Sequence, residues 1–143
     1  MVYEDVIKEL NAFLKGQYMG IHAYEHLIQN IDDFYIKKEL QQIQQDHKMH
    51  AMRVAERIQN LGGTPVDDEG FAGSIQEFIS RFTTPHTTDG ILRTALKGED
   101  FYGIQMSDEI VKGDLDEQSQ QLVDEILRHD EKHVEKLRSL LLQ

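Results

Sequence analysis

The chain has 143 residues, a length suited to one domain spanning 1–143, and 26 Asp and Glu against 15 Lys and Arg give it a formal charge of −11. That balance, with no basic run, excludes the counterion-displacing footprint of a nucleic-acid binder, and it fits a soluble protein or one that concentrates cations. Without cysteine no disulfide framework exists; no apolar run is long enough to span a bilayer, and Met1-Val2-Tyr3-Glu4-Asp5 lacks the basic and apolar regions of a leader, so a cytoplasmic protein is expected.

Helix A is predicted over residues 3–30, with Val6, Leu10, Phe13, Gln17, Ile21, Tyr24, Ile28 and Ile31 recurring at three- and four-residue steps. After a short turn at Ile31-Asp32-Asp33, helix B carries Ile36, Leu40, Ile43, His47, His50, Val54, Ile58 and Leu61, the seam of a bundle helix. Gly62-Gly63 ends it, because glycine takes the left-handed C-terminal conformation freely, and Thr64-Pro65 prevents a restart. The stretch from 62 to 87 is too long for a tight turn and predicts a crossover along the bundle, leaving helices B and C parallel. Within it Ser74, Ile75, Phe78, Ile79 and Phe82 suggest a short capped helix outside the bundle.

Helix C is expected to start with Thr88-Asp89 as its cap and to place Ile91, Leu92, Ala95, Leu96, Glu99, Tyr102, Met106 and Ile110 on one face before Lys112-Gly113. Helix D starts near Asp114 and carries Leu122, Ile126, Asp130, His133, Leu137 and Leu140, widened by Val123, Val134 and Leu141. The fold class is all-α: two antiparallel helix pairs joined by one long crossover.

All four stripes are interrupted near mid-height by metal-ligand types: Gln17, His47 with His50, Glu99, and Asp130 with His133. Residues three apart share a helix face, so each pair can aim two donors at one centre. Ionisable groups in a core are costly unless compensated, and a cation is one way to hold several together; a polar layer satisfied by its own hydrogen bonds is the ordinary alternative. On helix D either His129 or Asp130 can face inward. On helix B the seam from Ile43 to Val54 selects His47 over Asp46. His22, Glu25 and His26 lie off the apolar stripe and read as a solvated face, with a surface metal site as the lesser reading.

The chain resembles the ferritin-like di-iron family, whose pattern is a Glu from each of two helices and Glu-x-x-His from each of the other two. The likeness to bacterioferritins lies in Leu10-Asn11 with Tyr24, in His50-Ala51 leading to Leu61-Gly62, and in Ile126-Leu127-Arg128 ahead of Asp130-Glu131-Lys132-His133. It implies a ferritin-like four-helix bundle, with Glu99, Asp130, His50 and His133 at ligand positions, and it favours Asp130 over His129. Gln17 and His47 stand where the pattern has glutamates, and Lys48 stands where bacterioferritins have their haem-ligand methionine, Met49 being one residue off that face, so no haem is expected.

Glu99 and Asp130 supply only two negative charges, which match one divalent ion rather than two, and the single lone pair of neutral His47 cannot bridge two metals. Of the two half-sites that the resemblance implies, the one served by Glu99, His133, Asp130 and potentially His47 keeps its donors and the one served by Gln17, His50 and Asp130 is weakened, so one well-occupied metal is expected, with a second weak or absent. The ligand types suit iron, manganese or zinc. The resemblance implies iron binding and oxidation by dioxygen or peroxide, a ferroxidase-type activity. A non-redox bundle, with zinc or no metal and a structural or interaction role, is the alternative. Because helix D ends the chain and leaves no fifth helix for a symmetry axis, a homodimer is expected rather than a cage.

Overall fold

The computed structural model describes residues 3–67, 85–100 and 113–143. Four helices follow in order: α1 Glu4–Gln29, α2 Phe34–Asn60, α3 Thr88–Lys97 and α4 Glu117–Leu141. No strand occurs among the described residues, and no helix among them is long and apolar enough to cross a membrane. The expected short helix at 74–82 and the distal part of helix C, with Tyr102, Met106 and Ile110, lie outside the described residues.

Each start and stop has a local cause. Asp33 is extended and its Oδ1 accepts the Ile36 amide at 3.0 Å, satisfying an otherwise orphaned donor in the first turn of α2. The cap of α3 is Thr87, one residue earlier than Thr88-Asp89, because Thr87 has the extended backbone that lets its Oγ1 accept the Gly90 amide at 3.0 Å. α4 also begins later than expected. Gly113 turns the chain at φ 78°, and Asp116 caps the helix through the Ser119 amide while accepting from Arg57 Nη2 of α2 at 2.6 Å. At the end of α2, Gly62 takes φ 89°, its amide donates to the Gln59 carbonyl, and the Gly63 amide donates to that of Ile58, a Schellman closure. A Cβ on Gly63 would lie 2.8 Å from Ile7, so this turn also packs tightly on α1.

Two apolar clusters build the core. One joins Tyr24, Leu27, Ile28 and Ile31 of α1 and its end to Ile36, Leu40 and Ile43 of α2, Ile91, Leu92 and Ala95 of α3, and Leu137 and Leu140 of α4. The other joins Val6, Leu10, Phe13 and Leu14 to Ala51, Val54 and Ile58, and to Val123 and Ile126. The first half of α2 therefore shares one end of the bundle with α3, which leads from there to Glu99 in the middle layer, so α2 and α3 are parallel and α1 and α4 antiparallel to both. Contacts from α2 to α4 confirm that direction: Glu39 pairs with Lys136, Asp46 with His133, His50 with His129, Arg53 with Glu125, and Arg57 with Ser119. The seam between those two helices is thus bridged by long polar side chains. Leu14 and Leu27 are buried although the α1 stripe passes beside them, because the core face is wider than one seam.

Near the start of α1, burial, the neighbouring Asp114 and the charge of Asp5 raise the Glu9 carboxyl to about 7. A carboxyl that holds its proton more tightly when folded adds stability at low pH and loses it as pH rises through the folded value. Glu9→Gln is therefore expected to raise the thermal midpoint above wild type at pH 8, with the gap closing by pH 5; a wild type that melts higher at pH 8 would contradict this.

Candidate metal centre

Between the two apolar clusters lies a polar layer. α1 contributes Gln17 and Tyr24, α2 contributes Gln44, His47 and His50, and α4 contributes Asp130 and His133, all buried. Three-residue spacing puts each α2 and α4 pair on one face. Glu99 follows α3 in a π-helical turn over 98–100, a local widening that often accompanies functional sites, and is 3% exposed.

Glu99 Oε1 is the focus of the layer. It accepts from the Tyr24 hydroxyl at 2.7 Å, lies 2.6 Å from His47 Nε2, and is 3.5 Å from His133 Nδ1. Asp130 Oδ1 lies 3.9 Å from His47 Nδ1 and 3.6 Å from His133 Nδ1. One ligand atom from each of His47, Glu99, Asp130 and His133 falls within 4.8 Å of the other three. Two donors each ~2.1 Å from one ion sit roughly 3–4 Å apart, so the separations of 3.5, 3.6 and 3.9 Å suit a shared cation, while the 2.6 Å contact is a hydrogen bond. Among the described residues, eight buried side-chain atoms lack a hydrogen-bond partner, and six belong to this layer: Gln17 Oε1, Glu99 Oε2, Asp130 Oδ1, and Nδ1 of His47, His50 and His133. Such a concentration calls for a cause, since buried polar atoms are ordinarily satisfied. All six can offer a lone pair, so the residues fit a metal.

Protons and charges compete for the same positions. Burial disfavours charge on Glu99, but His47 and His133 outweigh it and hold the carboxyl below its usual range. Burial likewise opposes charge on His133, and the nearby Asp130 and Glu99 carboxylates with the bond to Asp46 overcome it, raising the ring to about 10. His47 is raised against its own burial by Glu99. Asp130 is pushed up, first by burial. Burial and then the neighbouring His47 and His129 lower His50 to about 4, which leaves it neutral. Tyr24 is driven well above its usual value by burial and by Glu99, so its hydroxyl stays a donor.

The structure brings His47, Glu99, Asp130 and His133 into one group and leaves His50 outside it, with Nε2 turned 3.4 Å from His129 Nδ1. Gln17 is buried with its carboxamide oxygen unpartnered. Asp130 faces inward at 1% exposure while His129 is exposed. Asp46, set aside in favour of His47, meets His133 Nε2 at 2.9 Å. Gln44 was not singled out by the sequence; its carboxamide donates to the Ile21 carbonyl and to Glu25, so the His22, Glu25 and His26 face is tied to α2. Its one signal is a place on the α2 seam three residues before His47. Lys48 and Met49 both lie on the exposed face of α2.

Removing a bond to a buried charge costs about 1.5–3 kcal/mol. Tyr24→Phe is expected to lower the unfolding free energy of the chelator-treated protein by about that amount, measured by urea denaturation. A loss near zero would show that the hydroxyl does not support Glu99.

Comparison with known proteins bears on the fold and the family. A bacterioferritin-related dodecameric thioferritin from Bacteroides fragilis superposes with a TM-score of 0.73 at 20% identity, over 99% of this chain and 86% of that one. This likeness establishes a ferritin-like four-helix bundle. No curated protein matches. The pattern of a domain of unknown function (DUF2383) matches residues 5–113, which include Gln17, His47, His50 and Glu99 and stop short of Asp130 and His133. With more than half of its length matched, the chain belongs to the DUF2383 family.

Proposed function

We propose that the polar layer binds one divalent transition-metal ion, iron in the first place, and that the protein takes part in iron oxidation or handling in the cytoplasm. The supporting observation is the convergence of His47, Glu99, Asp130 and His133, all buried, with ligand atoms within 4.8 Å. Two carboxylates balance one divalent ion, and two imidazoles complete a mixed donor set that suits iron, manganese or zinc. His50 and Gln17 are the weaker donors of this reading. Bound iron would supply one-electron chemistry toward dioxygen or peroxide. The chain's own residues hold the ion's place: Tyr24 fixes Glu99 through its hydroxyl, and the flanking apolar clusters keep bulk water from the layer.

Gln17 and His47, standing where the di-iron pattern has carboxylates, support a second reading in which the bundle holds zinc without redox chemistry. Metal analysis of protein purified without chelators, with oxygen uptake on adding ferrous ion, separates the two. Iron in the protein and uptake on mixing are expected, and Glu99→Ala is expected to lose both. Zinc without uptake supports the second reading, and undiminished metal in Glu99→Ala removes this ligand set. Because the ligands come from one chain, a homodimer suffices for the site; the dodecameric relative makes a twelve-chain assembly the other outcome of a light-scattering measurement.

A further inference from the structure

Near its end α1 carries a further group of metal-ligand side chains that the central layer does not use: His22, Glu25 and His26. His22 and His26 each stand two residues from Tyr24, whose hydroxyl enters the layer at Glu99. Two residues turn an α-helix by about 200°, so both histidines lie on the side of α1 away from the layer. Both are half-buried there, and Glu25 is exposed. Positions four apart on a helix lie one above the other with Cβ atoms about 5–6 Å apart, a spacing at which two imidazoles can close on one ion ~2.1 Å from each nitrogen. Imidazole has two nitrogens, so a ring that donates its N–H to a neighbour still holds a lone pair for a metal.

Local charge favours a cation at this pair. Residues 16–36 contain the acids Glu25, Asp32 and Asp33 and no lysine or arginine. His26 sits in the last turn of α1, where the helix carbonyls carry partial negative charge. Glu25 is held in place from the neighbouring helix: its Oε1 accepts from Gln44 Nε2 at 3.2 Å, and the buried Gln44 carboxamide also donates to the Ile21 carbonyl at 3.1 Å. A carboxylate fixed one turn from His22 puts negative charge beside the pair. We infer that His22 and His26 form a divalent-cation site on the outer face of α1, separate from the central layer, with water at its remaining positions and Glu25 as the neighbouring charge.

The donor set differs from that of the layer, where two carboxylates join two imidazoles. Two imidazoles completed by water select zinc, nickel or copper, and manganese, which prefers oxygen donors, is held poorly. Two protein donors also bind less tightly than four, so this outer site fills after the centre and exchanges its ion more readily. Its existence does not depend on metal in the layer, because none of its residues is shared with the central group.

The test is a zinc(II) titration of the full chain and of His22→Gln, His26→Gln, Glu25→Gln and Glu99→Ala, read by calorimetry and by proton–nitrogen NMR of the histidine rings. In the wild type the His22 and His26 ring signals are expected to shift together along one zinc-binding event. Either histidine variant weakens that event by at least about tenfold, because a single donor remains where two acted as a chelate, and Glu25→Gln weakens it by less. Thermal midpoints of the metal-free histidine variants stay near wild type, since neither side chain belongs to the buried core. Glu99→Ala keeps the event, and manganese(II) moves neither ring. Rings that stay still or move independently, or zinc affinities within about twofold of wild type in both histidine variants, would overturn the inference. Loss of the event in a folded Glu99→Ala protein would assign it to the centre and overturn the outer site as well.

Discussion

A carboxylate at the middle of a protein, shut off from water on both sides by aliphatic side chains, must be met by opposite charge or by hydrogen-bond donors. Glu99 occupies that position, and the bundle is arranged around it. Tyr24 reaches it from α1, His47 from α2 and His133 from α4, so each of the other three helices contributes a side chain to one residue. The apolar clusters above and below require the same alignment, because sliding α2 or α4 by one turn would place a histidine or a carboxylate among aliphatic side chains. Register is therefore set twice over, once by hydrophobic burial and once by charge.

On the proposed reading, the same layer exchanges protons for a cation. Glu99 is faced by His133, raised to about 10 by the surrounding carboxylates, and by His47, which Glu99 raises in the same direction, while the neutral His50 adds no charge. On that reading a cation would compete with a proton for His133, which would couple its affinity to pH. Tyr24 takes no part in this exchange, because burial and Glu99 keep its hydroxyl protonated. Its contribution is constant orientation.

Much of this was legible before any coordinates. The spacing of apolar residues in α1, α2 and α4, the glycines after α2 and the polar interruptions in each stripe are consequences of helical periodicity, and they place Gln17, His47, Glu99, Asp130 and His133 indoors. Periodicity fails where the deciding factor lies across a helix pair. Asp46 and His129 sit at the margin of their stripes, and only the antiparallel meeting of α2 with α4 gives each of them a histidine to hold. His50 shares a face with His47 in the sequence, yet its ring turns toward that seam. Helix starts were misplaced for a related reason: Thr87 and Asp116 became caps through backbone conformation and, for Asp116, through Arg57 on another helix.

The bridging of α2 and α4 by long side chains bears on how fast the interior communicates with solvent. Along that seam the barrier between layer and water is a single pair of side chains deep, His50 against His129 and His133 against Asp46. Opening it asks for ring and carboxylate rotation, motions far quicker than the microseconds to milliseconds in which helices part. A proton or ion crossing here would wait on side-chain rotation and not on the parting of helices.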